Sequence, residues 1–252
     1  MSDPANATPT LISMRPVDGH AALRRAAARH GLRLLAVSPW RLQPNDDEAS
    51  GQALARALAA PVVVFTSPAA ARAAASLMPL RPPAQGRWLA VGEGTARALR
   101  AAGVPGVAWP PRMDSEGLLA MPALSGDGPI GLVTAPGGRG LLAAELERGG
   151  RQVIRANVYS RVPITLAQAL LQRLQALASP TVLLLSSAEA LQRVMPQLPP
   201  GVAARWRAQP VVAASQRLAE LAREAGFAQV RCAQGPLPAQ LVAAAITSSP
   251  LD

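Results

Sequence analysis

The chain has 252 residues, half of them hydrophobic, and a formal charge of +10 that comes from arginine alone, because the sequence contains no lysine. The absence of lysine excludes a Schiff-base lysine and the lysine of a phosphate-binding loop. A single cysteine, Cys232, excludes an internal disulfide, and two histidines without cysteine partners are too few for an ordinary zinc site.

The N-terminal stretch has no basic region followed by a long apolar core, and no apolar run approaches the ~18 residues of a membrane span. We therefore expect a cytoplasmic protein without a membrane segment. Arginine offers a planar fork of donors for carboxylate or phosphate, so an anionic partner is expected. The arginines are scattered and the aromatic residues few, so nucleic-acid binding is not predicted.

Short apolar strands alternate with amphipathic helices along the chain. Residues 11–37 predict strand, helix, strand, and residues 131–158 repeat this plan. Each of these stretches is followed by two units of buried strand, hydroxyl-bearing turn and helix. Three landmarks recur after 120 residues: Pro16 and Pro136, Ser67 and Ser187, Thr95 and Ser215. The last helix of the second copy is predicted to be three residues longer, because it is closed by Gly226 where the first has Gly103.

This alternation predicts βαβ crossovers and parallel sheets. The fold class is therefore α/β, with two similar doubly wound parallel-sheet lobes of the flavodoxin or Rossmann type. Two extended, proline-bearing stretches, residues 38–44 and 159–165, are expected to connect the lobes as a two-stranded linker.

Hydroxyl side chains follow the strands where ligands bind in open parallel sheets. We expect Thr66, Ser67, Thr95, Ser187 and Ser215 each to stand between a strand and the start of a helix. A helix N-terminus favours anions, because it carries unpaired N–H groups and positive partial charge. Each hydroxyl taken singly is also an ordinary helix N-cap. Together, the matched ends predict a site for a large polyanion.

Two glycine-containing loops are candidates for anion binding. Residues 92–97 resemble a dinucleotide fingerprint, but Arg97 replaces its third glycine, so a dinucleotide site is not expected. In residues 135–140, glycines such as Gly138 let the backbone approach a ligand while Arg139 supplies a charge. This loop predicts an anion cradle, with a tight turn and a solvated arginine as the alternative.

No acid–base machinery is evident. We expect His20 and His30 to be solvated or partly buried helix residues, with neither at a strand end, and no Ser/His or Cys/His arrangement is present. The chain is therefore either not an enzyme, or an enzyme whose reaction needs positioning more than proton transfer.

A set of short segments resembles the uroporphyrinogen-III synthase family. No single segment is specific for the family, but their order and spacing together are more specific. The resemblance extends from about Leu11 to Gly235. The segments are residues 14–16 (MRP), 64–68 (VFTSP), 90–99 (AVGEGTARAL) with Gly103, 114–118 (DSEGL), 137–139 (GGR) with 141–142 (LL), 158–159 (VY), 186–187 (SS) and 214–215 (AS).

The resemblance implies a chain that begins in one lobe, crosses to the other and returns. Lobe 1 would comprise residues 1–38 and 165–252 and lobe 2 residues 45–158, with residues 39–44 and 159–164 as linkers in a short antiparallel ladder. It also implies the reaction. Hydroxymethylbilane, a small-molecule polycarboxylate, loses its hydroxyl, the azafulvene is attacked at the substituted carbon of ring D, and a spiro intermediate rearranges to uroporphyrinogen III. We expect this reaction in the inter-lobe cleft of a monomer, with no cofactor and no metal.

Carried over position by position, Tyr159 matches the family's tyrosine, whose hydroxyl assists departure of the substrate hydroxyl. The alternative is that this tyrosine only packs a lobe interface. The chain departs from the family at Ala69, where an asparagine is frequent, and at residues 134–135, where an Arg-Gly pair is frequent. A non-catalytic bilobed anion-binding protein remains an alternative function. The substrate-binding positions implied are Arg15, Thr66, Ser67, Thr95, Gly138, Arg139, Ser187 and Ser215.

Overall fold

The computed structural model describes residues 8–136, 140–177 and 180–247. The chain divides into two compact units: unit 1 is Met1–Arg41 with Val162–Asp252, and unit 2 is Leu42–Arg161. Unit 1 is thus built from both ends of the chain and unit 2 from one continuous stretch. Among the described residues, no helix combines the length and the apolar character needed to cross a membrane.

Strands and helices alternate along the chain, as the apolar pattern predicts. Within the described ranges, two short 3-10 helices, Pro122–Leu124 and Met195–Gln197, interrupt the series. The elements in chain order are β1 (Thr10–Ser13), α1 (Ala21–Ala28), β2 (Arg33–Ala36), β3 (Trp40–Pro44), α2 (Glu48–Leu58), β4 (Val62–Phe65), α3 (Pro68–Leu77), β5 (Arg87–Ala90), α4 (Glu93–Ala101), α5 (Ser115–Leu119), β6 (Ile130–Thr134), α6 (Leu141–Arg148), β7 (Val153–Asn157), β8 (Tyr159–Pro163), α7 (Gln168–Gln175), β9 (Thr181–Leu185), α8 (Ala188–Val194), α9 (Pro200–Ala208), β10 (Pro210–Ala213), α10 (Gln216–Glu224), β11 (Gln229–Cys232) and α11 (Pro238–Ile246).

Unit 1 contains a five-stranded parallel sheet in the order β11-β10-β9-β1-β2. Of its three interior strands, β1 and β9 are buried at every residue and β10 at all but Pro210, as is expected of parallel strands that are covered on both faces. Thr10 of β1 is in register with Arg33 of β2 on one side and with Thr181 of β9 on the other. Strands from opposite ends of the chain therefore lie side by side.

Unit 2 contains a four-stranded parallel sheet in the order β5-β4-β6-β7, with hydrophobic residues packed on both faces. Successive side chains of a strand point to opposite faces. Val63 and Phe65 accordingly pack in one cluster with residues of α2, α3 and α4, whereas Val62 and Val64 pack in another with residues of α5 and α6. Helices thus cover both faces, and the predicted fold class of parallel sheets flanked by helices is confirmed.

Close packing of α2 on this sheet explains the glycine in β6. A Cβ built on Gly131 would lie 1.9 Å from the backbone carbonyl oxygen of Ala57 in α2. No larger residue fits there unless the helix moves away from the strand.

The two units repeat the same elements, but the interval is not constant. β4 and β9 end 120 residues apart, at Phe65 and Leu185, whereas β5 and β10 end 123 residues apart, at Ala90 and Ala213. The predicted equivalence of Thr95 with Ser215 is therefore wrong, and so is the longer final helix, because α4 and α10 both have nine residues. The three extra residues precede β10, in the region where only unit 1 has a helix such as α9.

The shifted interval also locates the counterpart of β11. Leu89 forms an isolated parallel bridge with Ala108. In unit 1 the residues 123 positions later, Val212 of β10 and Arg231 of β11, are paired in the same way. Unit 2 thus has a single bridge where unit 1 has a complete fifth strand.

The strands β3 and β8 form a separate two-stranded sheet. The amide of Asn45 donates to the carbonyl of Val158, and the amide of Ile164 donates to that of Pro39, both at 3.0 Å, so the two segments run antiparallel. The boundaries of the units fall inside these strands, at residues 41–42 and 161–162.

Candidate functional site

A cavity of about 220 Å³ lies in unit 2 beyond the carboxyl ends of β4 and β6. Ligands of open parallel sheets bind at this edge, because loops and helix N-termini converge there. Its apolar lining includes Leu118, Leu132 and Leu142. Among the described residues, the polar side chains that line it are Thr66, Ser67, Ser115, Thr134, Arg155, Tyr159 and Arg161.

Tyr159 and Ser67 meet at this cavity. The hydroxyls of the two residues are 3.3 Å apart, and Ser67 Oγ also accepts the amide N–H of Ala70 at 3.0 Å, which caps α3. Tyr159 is the first residue of β8 and is only 6% exposed, within the cluster that packs on α2, α3 and α4. Either hydroxyl of this pair can be the donor, and Ser67 can donate its proton to the phenol oxygen while it accepts the amide N–H of Ala70. The phenol proton is then available to a ligand.

A side-chain hydrogen bond between Thr66 and Thr134 joins the carboxyl ends of β4 and β6 at the cavity. Thr66 Oγ1 donates to Thr134 Oγ1 at 2.8 Å, and the amide of Thr66 donates to the carbonyl of Val133 at 3.1 Å. The second bond continues the parallel ladder one residue beyond the end of β4, which holds the hydroxyl of Thr66 at the rim of the sheet.

Arg155 and Arg161 line the cavity and were not singled out from the sequence. Arg155 lies in β7, at the edge of the sheet, and Arg161 lies in β8 two residues after Tyr159, on the same side of the strand. The sequence signal for Arg155 is a charged residue in the middle of a predicted strand. Only the pairing of β7 with β6 shows that this residue reaches the site.

The predicted anion cradle lies partly outside the described residues. Gly138 and Arg139 fall in the stretch 137–139, which the structure does not describe. Gly140, which borders it, adopts a left-handed conformation with φ of 61° and forms the N-cap of α6.

The other predicted hydroxyls differ in what they do. Ser187 is the N-cap of α8 and accepts the amide N–H of Ala190 at 3.3 Å, as Ser67 does in unit 2. Ser215 is the N-cap of α10, is exposed and makes no side-chain capping bond. Thr95 is not at the turn, because α4 begins at Glu93; its side chain lies in the first helical turn and is 1% exposed. A side chain enclosed in this way does not offer its hydroxyl to a ligand.

In unit 1, Arg15 follows β1 and has a buried Nε atom without a hydrogen-bond partner. Burial lowers the pKa of Arg15 below its ordinary value. Arg15 is therefore a desolvated cation just beyond the carboxyl end of β1, the kind of position at which ligands of parallel sheets bind.

Three expectations are wrong for His20: that it is a solvated or partly buried helix residue, that no histidine lies at a strand end, and that no Ser/His arrangement is present. This residue is 5% exposed and immediately precedes α1. Its Nδ1 is 3.0 Å from Ser13 Oγ, at the end of β1, and its Nε2 is 2.9 Å from Ser38 Oγ, just beyond β2. The sequence shows a polar residue before a helix, but not that the loop folds it back over two strand ends.

Within the part of the chain that the structure describes, no group of three or more His, Cys, Asp or Glu residues could hold a metal ion. The polar groups of the cavity are hydroxyls and guanidinium groups. They can orient an anion and donate protons in hydrogen bonds.

The fold and the site define an α/β protein of two parallel-sheet units, with a hydroxyl- and arginine-lined cavity at one strand edge. The family model of uroporphyrinogen-III synthase HemD matches residues 21–243. The chain therefore belongs to the uroporphyrinogen-III synthase family. Membership makes it an enzyme of tetrapyrrole synthesis that acts on a small molecule.

Solved structures of two such enzymes have a similar fold. Uroporphyrinogen-III synthetase from Helicobacter pylori has a TM-score of 0.64 and 13% identity, over 95% of this chain and 99% of that one. A variant of uroporphyrinogen III synthase from the extremely thermophilic bacterium Thermus thermophilus has a TM-score of 0.59 and 19% identity, over 95% of this chain and 98% of that one. At such identities the likeness is one of fold alone.

Proposed function

We propose that this chain is a uroporphyrinogen-III synthase, a lyase that cyclises hydroxymethylbilane with inversion of ring D through a spiro intermediate and releases water. The observation that carries the proposal is the hydrogen-bonded pair of Ser67 and Tyr159 at a cavity lined by Arg155 and Arg161, in a chain of this family. Arginine and hydroxyl groups suit a carboxylate-rich substrate.

In this proposal Tyr159 donates its phenolic proton to the departing hydroxyl, so that the carbon–oxygen bond breaks and water leaves. Ser67 orients the phenol by donating its proton to the phenol oxygen, while one of its two acceptor lone pairs receives the amide N–H of Ala70. The apolar packing around Tyr159 restricts the ring to one position. Bond formation at ring D then depends on how the substrate is folded rather than on a further acid or base.

The remaining predicted contacts are proposed to bind substrate carboxylates. Ser187 and Ser215 offer the N-terminal ends of α8 and α10, and Arg15 offers a desolvated cation. A role for Gly138 and Arg139 in the same binding stays a prediction from the sequence, as does the cleft between the two lobes.

The decisive experiment is incubation of the purified protein with hydroxymethylbilane, followed by separation of the product isomers. Spontaneous closure gives uroporphyrinogen I, so we expect isomer III to predominate only when the protein is present. A non-catalytic anion-binding protein would leave isomer I alone, and that result would overturn the proposal.

We further propose that the protein is a cytoplasmic monomer that does not bind nucleic acid. The scattered placement of its arginines and the few aromatic residues support the absence of nucleic-acid binding. Light scattering during size-exclusion chromatography tests the monomer, a salt titration of DNA and RNA binding tests the absence of nucleic-acid binding, and fractionation of producing cells tests the cytoplasmic location.

A further inference from the structure

We propose that Arg155 binds a carboxylate of the substrate, and that the cavity it lines holds one pyrrole ring rather than the whole tetrapyrrole. This inference deepens the proposed function and rests on it, because that function supplies the carboxylate-rich substrate. Four observations carry it: the orientation of the guanidinium, the acceptors that hold it, the arrangement of other arginines, and the volume of the cavity.

The guanidinium of Arg155 is held along one edge. Its Nε donates to Asn157 Oδ1 at 3.1 Å, and its Nη2 donates to the carbonyl oxygen of Ala135 at 3.1 Å. Nε and Nη2 form one side of the planar fork, which leaves Nη1 and the second N–H of Nη2 as an adjacent pair of donors. Such a pair matches the two oxygens of a carboxylate.

Both acceptors of Arg155 are neutral, so the hydrogen bonds orient the cation without compensating its charge. Among the described residues, Arg155 forms no ion pair with a carboxylate. Four other arginines do: Arg97, Arg112, Arg148 and Arg193 pair with acidic side chains close in the sequence. Arg151 is bound by the carbonyls of Leu124 and Gly128, and it does not line the cavity. Arg155 is exposed, and its guanidinium is held by two neutral acceptors in the cavity wall, so its charge is available to an anionic ligand.

The support of Arg155 continues to the strand of Tyr159. Asn45 Nδ2 donates to the backbone carbonyl of Asn157 at 2.8 Å, and Ser160 Oγ donates to Asn45 Oδ1 at 2.7 Å. The guanidinium is thus linked through side-chain hydrogen bonds to the residue next to Tyr159. Groups connected in this way lose little conformational entropy when they bind a ligand.

The cavity limits how much of the substrate can enter. Its volume of about 220 Å³ falls below the ~300–1,000 Å³ of pockets that enclose drug-sized ligands. The apolar wall of Leu118, Leu132 and Leu142 can contact a ring face, while Arg155 receives an acidic substituent of that ring. One substituted pyrrole therefore fits the chemistry and the size, and the other rings lie outside this cavity.

The test compares Arg155→Gln with Arg155→Lys and a matched control, Arg72→Gln. Arg72 is an exposed arginine of the same unit, in α3, and does not line the cavity. Loss of a charge-assisted hydrogen bond removes about one to two orders of magnitude of binding. We expect Arg155→Gln to raise KM at least about tenfold with kcat nearly unchanged, Arg155→Lys to recover part of the loss, and Arg72→Gln to match the wild type. Thermal unfolding of each variant shows whether it is folded.

Either of two results in folded Arg155→Gln would overturn the inference: an unchanged KM, or a decrease in kcat alone. The second result would assign Arg155 to positioning Tyr159 instead of binding the carboxylate. In both cases the wild type would still form isomer III and the proposed function would stand. If the wild type forms only isomer I, the proposed function itself fails, and the role of Arg155 fails with it.

Discussion

His20 should make the stability of the protein depend on pH in a way that can be isolated. Burial, together with the nearby charges of Arg24 and Arg15, lowers its pKa from 6.5 to about 4. The folded protein therefore holds a neutral imidazole, one of whose ring nitrogens donates and the other accepts toward Ser13 and Ser38. On unfolding, His20 regains its ordinary pKa and binds a proton more readily.

The direction of the pH dependence follows from the difference between the pKa of His20 in the folded and the unfolded protein. A pKa that is lower in the folded state contributes stability that is complete above the unfolded pKa of 6.5 and is lost as pH falls toward about 4. At 1.36 kcal/mol for each unit of pKa, the full difference corresponds to about 3 kcal/mol, of which roughly 2 kcal/mol is lost by about pH 5.

Urea unfolding of the wild type and of His20→Gln at several pH values measures this contribution. The variant loses the two hydrogen bonds of the imidazole, one buried and one partly buried, each worth about 1 kcal/mol, so the wild type should be the more stable protein at neutral pH. Because glutamine does not titrate, that advantage should shrink by roughly 2 kcal/mol between about pH 7.5 and pH 5. His30→Gln, at an exposed position in the same segment, should follow the wild type. Parallel curves for the wild type and His20→Gln would refute a buried neutral imidazole.

The remaining predictions concern the site and the core of unit 2. Tyr159→Phe should lower kcat at least about tenfold with folding intact, because the proton donor is lost; unchanged turnover would remove Tyr159 from the mechanism. Ser67→Ala should cost about 1 kcal/mol of stability, because the cap of α3 is lost, and should also lower kcat. Asp47→Ala, which removes the cap of α2, should lower stability alone. If Ser67→Ala has the same kcat as the wild type, Ser67 does not position Tyr159. Gly131→Ala should destabilise the protein by about 2 kcal/mol or more in urea unfolding, because α2 lies directly over β6, and Gly126→Ala, with open space around it, should have little effect.

The parallel sheets and their repetition could be predicted because the signals are local. An apolar run such as residues 62–65 followed by a capping serine specifies a buried strand and the start of a helix within a few residues. Ser67 and Ser187 were placed correctly on this basis. A constant spacing of 120 residues predicts the wrong equivalence for Ser215, because three extra residues precede β10. The counterpart of Ser215 is Gly92, the N-cap of α4, and not Thr95.

The side chains that were missed depend on contacts between distant parts of the chain. Arg155 reaches Ala135 only because β7 pairs with β6, and His20 reaches Ser38 only because the loop before α1 folds back over β2. No local pattern encodes either contact. For Arg155 a charge in the middle of a strand was the available signal, and it specifies neither the face nor the neighbour.

The order of the strands in unit 1 has a consequence for synthesis on the ribosome. β1 precedes unit 2 in the chain, whereas its partner β9 follows about 170 residues after β1, beyond the whole of unit 2. Unit 2 can acquire its native contacts while the chain is still growing, since all its strands lie within Leu42–Arg161. The pairing of β1 with β9 can form only after unit 2 has been translated, and until then β1 lacks its neighbour on one side.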